Sequence, residues 1–185
     1  MQKKTVGQRL CLYDSTELET IVHRMARQAA ALLPPQSALV GILRRGEPLA
    51  RLLQQQLAQL TGQAALPLYG LKVKRYADDL SLLHTQTALT ESPELAALDL
   101  STTTLLVVDD VLYEGHSLLR TCAYLSRLGA QRVRTAVLVD RCVCTQPVHA
   151  DIVGVRLQIA PGDIIECNVP PYEQAFRIEV LRHGG

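Results

Sequence analysis

One apolar stretch that ends in two adjacent acids constrains this chain more than any other feature. Residues 104–108 read Thr-Leu-Leu-Val-Val and lead directly into Asp109 and Asp110. A short apolar run without polar alternation predicts a strand buried on both faces, as in parallel sheets. A loop with one glycine, Gly115, follows the acids, and a helical pattern begins at about His116. Because open α/β sheets bind ligands at the carboxyl ends of their strands, we expect the acids and this loop to border a cleft.

The rest of the chain repeats this alternation of strand and helix signals. Helical spacing of apolar residues predicts helices over 16–33, 48–61 and 116–128. Thr16 and Glu19 form a capping-box pattern for the first of them. Apolar runs predict strands over 37–43, 65–73, 104–108 and 132–139, with short strands near 151–157, 163–168 and 176–182. This order predicts an α/β fold with a mostly parallel sheet, and 185 residues predict a single domain over 1–185.

Composition excludes several classes of protein. The net charge is +1, so no overall field favours nucleic acid or an acidic membrane surface. No apolar stretch approaches 18 residues, and the amino terminus lacks the apolar core of a signal peptide. The five cysteines are odd in number and unevenly spaced, which favours reduced thiols. We therefore expect a cytoplasmic protein without a membrane partner.

Residues 76–102 differ from their surroundings. They begin Tyr-Ala-Asp-Asp-Leu-Ser and continue through a Ser/Thr-rich stretch with Pro93 and no clear periodicity. A segment of this length inside a compact domain is typical of a functional lid or of disorder, and we favour a lid.

The acids and the glycine loop suggest the chemistry of a ligand. Carboxylates can bind hydroxyls, a metal or a developing cation, and free amides at the start of a helix can bind phosphate. A ligand that carries both a sugar and a phosphate fits this pairing best.

Several blocks of the sequence resemble type I phosphoribosyltransferases. The block Val-Asp-Asp-Val-Leu-Tyr (108–113) is closest to the pyrimidine-operon attenuation regulators, which are also uracil phosphoribosyltransferases. Leu-Val-Gly-Ile-Leu-Arg-Arg-Gly (39–46) resembles that family's diphosphate-binding loop, and residues 76–81 resemble the base of its mobile loop. Ala-Val-Leu-Val-Asp-Arg (136–141) resembles its next strand and acidic turn, and the similarity covers roughly residues 10–160.

The resemblance implies the type I phosphoribosyltransferase fold, with a mostly parallel sheet, a small hood built from terminal segments and a mobile lid. It also implies transfer of phosphoribose from 5-phospho-α-D-ribose 1-diphosphate to a nucleobase, with uracil as the first candidate. Mg²⁺ would be bound mainly through the substrate, with Asp109 and Asp110 as possible protein ligands. A homodimer or a higher homo-oligomer is expected.

The same resemblance assigns a role to each candidate site residue. Asp109 and Asp110 are the expected catalytic carboxylates, which stabilise positive charge on the ribose. Arg44, Arg45 and Gly46 are expected to bind diphosphate, and Arg75, with Lys72 and Lys74, could reach phosphate oxygens when the lid closes. The expected 5′-phosphate loop consists of Val111, Leu112, Tyr113, Glu114, Gly115, His116 and Ser117. The base is expected near Asp140 and Arg141.

Four departures from the family pattern leave an alternative open. Glu114 replaces the usual Thr or Ala, His116 replaces a usual Arg or Lys, and Ala77 stands where the regulators have Arg. After Arg141, Cys-Val-Cys-Thr-Gln (142–146) replaces a basic stretch. The alternative is a catalytically impaired nucleotide-binding regulator of pyrimidine gene expression. RNA is a possible but disfavoured partner, because the basic stretch is missing and the net charge is near zero.

Other functional interpretations are weaker. The glycine spacing at 41–46 matches a P-loop, but Glu47-Pro48 replaces its Lys-Ser/Thr. A structural zinc site at Cys142, Cys144 and His149 rests on weak spacing. A receiver-like signalling domain would share the acidic strand end, but it would not explain the Arg-Arg-Gly loop.

Overall fold

The computed structural model describes residues 7–74, 88–89 and 92–182. In chain order the elements are β1 Gln8–Tyr13, α1 Ser15–Leu32, β2 Ser37–Leu43, α2 Gly46–Thr61, β3 Leu68–Lys74, β4 Ala88–Leu89, α3 Pro93–Ala96, β5 Thr104–Leu112, α4 His116–Arg127, β6 Arg132–Asp140, β7 Ile152–Arg156, β8 Ile164–Asn168 and β9 Arg177–Arg182. Within these described ranges, no helix combines the length and the apolarity needed to cross a membrane.

The main sheet has the strand order β4-β3-β2-β5-β6-β7. Five of its strands are parallel, and the short β4 pairs antiparallel with β3 at one edge. β2 and β5 are buried on both faces, which explains their continuous apolar sequences. Helices α1 and α2 pack on one face, and α3 and α4 pack on the other. The predicted α/β class with a mostly parallel sheet is confirmed.

The two ends of the chain form a second, smaller sheet with the antiparallel order β1-β9-β8. Alternate residues of β8 and β9, including Ile165 and Ile178, join the core beneath α1. We call this sheet, with the 169–176 segment between β8 and β9, the hood. The strand β1 was not predicted, because its apolar stretch is only four residues long (10–13) and most of the strand is exposed.

The capping box of α1 was predicted two residues too late. Asp14, rather than Thr16, precedes the helix: its Oδ1 accepts a hydrogen bond from Glu17 N at 3.0 Å. Glu17 Oε2 in turn accepts a hydrogen bond from Asp14 N at 2.9 Å. Thr16 is already helical, because extended backbone at Asp14 places the helix start at Ser15.

The second half of the predicted lid is wrong for residues 92–102. Leu95 of α3 and Leu100 are buried in the core beside α4. Ser92 N donates a hydrogen bond to the hydroxyl of Tyr124 at 2.8 Å. The short α3 provides too few turns for a visible periodicity, so burial of two leucines decides its structure. The remainder of the predicted lid lies mostly outside the described residues, and there the lid stays a prediction.

Candidate functional site

The acidic pair, Asp109 and Asp110, lies inside β5 rather than after it. The strand continues to Leu112, and Asp109 pairs with Val137 of β6. Both carboxylates are half-buried, and Asp109 Oδ1 accepts a hydrogen bond from Asp110 N at 2.9 Å. Loss of hydration and repulsion from Asp110 raise the pKa of Asp109 well above its ordinary value.

Asp110 has a different electrostatic environment. Loss of hydration raises its pKa above the ordinary value, while a hydrogen bond with Asp109 and the positive charge of Arg45 oppose this rise. Two adjacent carboxyls with raised pKa values form a site that favours positive charge from a ligand. Perturbed carboxyls of this kind cluster at functional sites.

Residues 111–117, here called the glycine loop, comprise the last two residues of β5, the turn at 113–115 and the first two residues of α4. With Asp109, these residues line a cavity of about 60 Å³. Gly115 precedes α4 with a φ of +91°, and no side chain caps the helix. The first amides of a helix have no intrahelical acceptors, so the helix start points free N–H groups at this end of the sheet.

The segment after β6 supports the glycine loop from behind. Thr145 N and Gln146 N donate hydrogen bonds to the carbonyl oxygen of Glu114 at 3.1 and 3.2 Å. A Cβ at Gly115 would lie 2.5 Å from Cys144 Sγ. Cys142-Val-Cys-Thr-Gln therefore has a structural role here. Among the described residues, no group of three or more His, Cys, Asp or Glu side chains is placed to hold a metal ion by itself.

The loop of residues 44–46, here called the arginine loop, joins β2 to α2 beside the acidic pair. A Cβ at Gly46 would lie 2.5 Å from the Val108 carbonyl oxygen and 3.1 Å from Asp109 Cα. The peptide bond between Leu43 and Arg44 is cis. This close approach brings both arginines to the carboxyl end of β5, as the sequence predicted.

Two hood residues contact the arginines, and sequence reasoning missed both. Arg45 donates from Nε and Nη2 to Glu173 Oε1 at 3.1 and 2.6 Å. The guanidinium of Arg44 lies over the ring of Tyr172, 4.8 Å from its centroid. Partial burial opposes ionisation of Glu173, but hydrogen bonds from Arg45 and Val169 N–H outweigh it and hold its pKa below the ordinary value. Only the chain's return through the hood places these residues here, so no local pattern indicates them.

Asp140 and Arg141 lie at the carboxyl end of β6, next to the glycine loop. Arg141 N donates to the Leu112 carbonyl oxygen at 3.0 Å. Its guanidinium is buried and lies 5.3 Å from the centroid of the exposed Tyr113 ring. Arg141 Nε is buried, and no described residue provides a hydrogen-bond partner for it. Asp140 Oδ1 accepts a hydrogen bond from Cys142 N at 2.8 Å.

The structure also locates most of the residues that depart from the family pattern. The Glu114 carboxylate lies near His116, with 3.7 Å between Glu114 Oε2 and His116 Nε2. Both side chains nevertheless line the cavity of the glycine loop. Lys72 is exposed on β3, and Lys74 ends that strand. Arg75 and Ala77 lie outside the described residues.

Sequence comparisons identify relatives over most of the chain. Residues 12–175 match the phosphoribosyl transferase domain. The bifunctional protein PyrR of Elusimicrobium minutum is 34% identical over 91% of this chain and 94% of the relative. The bifunctional protein PyrR of Actinobacillus pleuropneumoniae is 30% identical over 92% of this chain and 96% of the relative.

Solved structures share the fold at lower identity. The hypoxanthine phosphoribosyltransferase of Trypanosoma cruzi, in complex with the product IMP, has a TM-score of 0.71 and 16% identity, covering 98% of this chain and 94% of that chain. The hypoxanthine phosphoribosyltransferase of Staphylococcus aureus has a TM-score of 0.68 and 14% identity, covering 84% and 80%. The predicted fold is confirmed, and the chain belongs to the type I phosphoribosyltransferase family, with relatives named PyrR.

Proposed function

We propose that this protein transfers phosphoribose from 5-phospho-α-D-ribose 1-diphosphate to a nucleobase, with uracil as the first candidate, and releases diphosphate. One observation carries the proposal. The acidic pair, the amides of the glycine loop and the arginine loop converge on the carboxyl end of β5. Their proximity supports a single site that receives a ribose, a 5′-phosphate and a diphosphate.

Asp109 and Asp110 act on the ribose. Breaking the bond from C1 to the diphosphate builds positive charge on the sugar, as in glycoside hydrolysis. Their carboxylates accept hydrogen bonds from the ribose hydroxyls and stabilise that charge. Burial raises the pKa of both carboxyls, so their ionised forms are costly in the free protein and a cationic partner would stabilise them.

The glycine loop holds the 5′-phosphate. The N–H groups from residues 112–117 and the Ser117 hydroxyl are its donors, and the start of α4 adds a favourable dipole. The carboxylate of Glu114 repels this anion. We propose that the nearby His116 imidazole reduces the repulsion, because it lies 3.7 Å from Glu114 Oε2.

The arginine loop binds the leaving diphosphate. Arg44 and Arg45 provide donors as negative charge grows on that group. Arg75, which lies outside the described residues, remains a further candidate donor. The donor set fits Mg²⁺ bound mainly through the substrate, because the described residues offer no group of three or more metal-binding side chains and the acidic pair would contribute hard carboxylate oxygens. When bound, this ion neutralises charge on the diphosphate.

Asp140 and Arg141 border the base. Tyr113 provides an exposed aromatic face beside the buried guanidinium of Arg141, and a planar ring can stack there. The hypoxanthine enzymes share only the fold with this chain at 14–18% identity, so they do not select a purine. The sequence resemblance supports uracil.

The cysteines and the net charge bear on the compartment and the partners of the protein. All five cysteines are free, which suits the reducing cytoplasm. We expect a homodimer or a higher homo-oligomer. We do not expect RNA as a main partner, because the chain's net charge is +1 and a cysteine-containing segment replaces the basic stretch after Arg141.

A nucleotide-formation assay tests the proposal. The purified protein is incubated with phosphoribosyl diphosphate, MgCl₂ and each of uracil, hypoxanthine, guanine, orotate and adenine, and products are separated by chromatography. We expect uridine 5′-monophosphate with uracil. Absence of diphosphate release with every base would contradict enzymatic activity.

One structural observation favours an alternative function. The carboxylate of Glu114 lines the expected phosphate cavity, which favours a catalytically impaired regulator that still binds nucleotide. Calorimetric binding of uridine 5′-monophosphate without turnover would support that alternative. Turnover with any base would eliminate it.

A further inference from the structure

We propose that Glu173 is a positioning residue: it holds the Arg45 guanidinium, so that the remaining donors of Arg45 are presented to the diphosphate. This inference rests on the proposed function and adds a hood residue to that site.

Backbone hydrogen bonds of its own turn hold the Glu173 carboxylate, and the held carboxylate contacts Arg45. Glu173 Oε2 accepts a hydrogen bond from Val169 N at 2.9 Å, and Glu173 N donates to the Val169 carbonyl oxygen at 3.4 Å. The carboxylate is therefore tied to the backbone of its own turn. Its other oxygen, Oε1, faces the arginine loop and accepts two hydrogen bonds from Arg45.

Glu173 contacts one edge of the Arg45 guanidinium and leaves the opposite edge available to a second anion. Arginine has five N–H donors in a rigid plane, and Glu173 uses one from Nε and one from Nη2. Within the described ranges, the other three N–H groups of Arg45 donate no hydrogen bond. A guanidinium fixed along one edge loses little rotational freedom when a second anion binds the opposite edge.

The position of Arg45 relative to the acidic pair supports this role. The arginine loop packs against the Val108 and Asp109 backbone through Gly46, so its location is set by β5. Arg45 lies close enough to Asp110 to favour its ionised form. Without the hood carboxylate, Arg45 would be free to turn toward the acidic pair and away from the diphosphate.

A second contact of the same hood turn adds to the case. Tyr172, adjacent to Glu173, lies under the guanidinium of Arg44 at 4.8 Å from the ring centroid. The hood turn therefore contacts both arginines by different interactions, one ionic and one aromatic. The hood thus acts on the diphosphate site as well as covering the sheet.

The test measures binding, so it does not depend on the identity of the base. Titration calorimetry with inorganic diphosphate and MgCl₂, and separately with phosphoribosyl diphosphate, compares the wild type with Glu173→Ala and Glu173→Gln. We expect about five- to tenfold weaker binding for Glu173→Ala, from lost preorganisation. Glu173→Gln keeps an oxygen acceptor for Arg45 and should bind within about twofold of the wild type, since positioning depends on the hydrogen bonds.

Two further variants separate positioning from general stability. Glu166→Ala removes a hood carboxylate that pairs with Arg9 instead, and it should leave both dissociation constants unchanged. In an Arg45→Ala background, Glu173→Ala should have no further effect. Thermal melts establish that each variant is folded. Arg45→Lys keeps the positive charge but lacks the planar guanidinium, so it should also weaken binding of both ligands.

The outcomes are distinguishable. If the wild type binds neither ligand, the proposed function fails and this inference fails with it. If the wild type binds and Glu173→Ala binds equally well or more tightly, only the positioning role is overturned, and Glu173 is a bystander or a competitor of the diphosphate. Equal losses in Glu173→Ala and Glu173→Gln would also overturn it, because charge alone would then explain the effect.

Discussion

Gly46 lies so close to Val108 that a single added methyl group would collide with the strand of the acidic pair. The Cβ would be 2.5 Å from the Val108 carbonyl oxygen and 3.1 Å from Asp109 Cα. This contact joins the arginine loop to β5 through two backbones. The distance between the expected diphosphate site and the acidic pair therefore depends on the absence of one side chain.

The first prediction concerns this contact. Gly46→Ala should lower the free energy of unfolding by about 1–3 kcal/mol, as is typical of an overpacked site. It should also weaken binding of diphosphate, because the arginine loop must move away from β5. Chemical denaturation and calorimetry measure the two effects. Gly162→Ala is the matched control, since a Cβ there meets nothing within 4 Å; equal behaviour of the two variants would contradict the prediction.

The second prediction concerns Gly115 at the start of α4. Gly115→Ala should abolish measurable binding of a nucleoside monophosphate, because the methyl group would strike Cys144 Sγ and the φ of +91° disfavours alanine. Calorimetry with uridine 5′-monophosphate is the measurement. Gly129→Ala has a similar φ of +98° but open space around its Cβ, so it reports backbone strain alone. We expect Gly129→Ala to lose stability and keep binding.

The third prediction concerns the acidic pair and pH. Burial and repulsion raise the pKa of Asp109 in the folded chain, so folding takes up protons there and ionisation of Asp109 opposes folding. This cost is absent below the ordinary pKa of about 3.9 and grows as pH rises toward the folded pKa. Asp109→Asn should therefore melt at a higher temperature than the wild type at pH 8, while its transferase activity falls by at least about a hundredfold.

Melting curves from pH 4 to pH 8 test the sign of this effect. The stabilising difference between Asp109→Asn and the wild type should shrink toward pH 4. Asp99→Asn is a contrast, because hydrogen bonds from the Ser101 hydroxyl and then its backbone N–H lower the pKa of Asp99. That variant should not melt at a higher temperature at pH 8. A lower melting temperature for Asp109→Asn at pH 8 would contradict the prediction.

The fourth prediction concerns Glu114. Glu114→Thr should tighten binding of phosphate-bearing ligands about tenfold, since it removes like charge from the cavity that the glycine loop lines. Glu114→Gln, which keeps the shape, should reproduce most of the gain. Because added salt screens the repulsion, the gain should be smaller at 0.5 M NaCl than at 0.05 M. Unchanged affinity in both variants would show that the carboxylate does not act on the phosphate.

The fifth prediction concerns the hood carboxylate Glu179. This buried group accepts hydrogen bonds from Arg9 at 2.8 Å and Asn168 Nδ2 at 2.9 Å, and Arg177 lies 3.1 Å away. Burial opposes its ionisation, but these contacts outweigh burial and lower its pKa below the ordinary value. Its stabilisation is therefore present above the unfolded pKa of about 4.3 and is lost as pH falls through the folded pKa.

Glu179→Gln should thus lose about 1–3 kcal/mol at pH 7, as expected for hydrogen bonds to a charged group. The difference from the wild type should shrink as pH falls from 7 to 3, because the wild-type carboxyl becomes protonated as pH falls through its lowered pKa. Urea denaturation at both pH values is the measurement. Glu166→Gln provides the control at a more exposed hood carboxylate, and it should have the smaller effect.

The sequence predicted the elements whose residues satisfy a local rule. The strand over 37–43 matches β2 in full, because an apolar run bounded by turn residues has few other solutions. Helices α1, α2 and α4 also follow from apolar periodicity. Short elements were not predicted: β1 has an apolar stretch of only four residues, β4 has two residues, and α3 spans a single turn. Their conformations depend on pairing and burial that distant segments provide.

The residues of the candidate site also fall into those that the sequence predicted and those that it did not. The chain order of acids, glycine and helix start placed the glycine loop next to the acidic pair, because consecutive residues at the end of one strand must stay together. The arginines could be assigned to the same edge, since parallel neighbouring strands end at one side of a sheet. Glu173 and Tyr172 carried no such signal, because 128 residues separate Arg45 from its carboxylate partner.

By itself, the sequence determined the α/β class, the family, and the identity of the acids, amides and arginines that meet at one sheet edge. Periodicity and strand polarity act over a few residues or one crossover, so they can be read along the chain. Only the tertiary structure decided that Leu95 and Leu100 pack in the core, that Cys144 lies against Gly115, and that Glu173 of the hood contacts Arg45. Those contacts depend on the three-dimensional path of the whole backbone, which joins residues far apart in the chain at distances of a few ångströms.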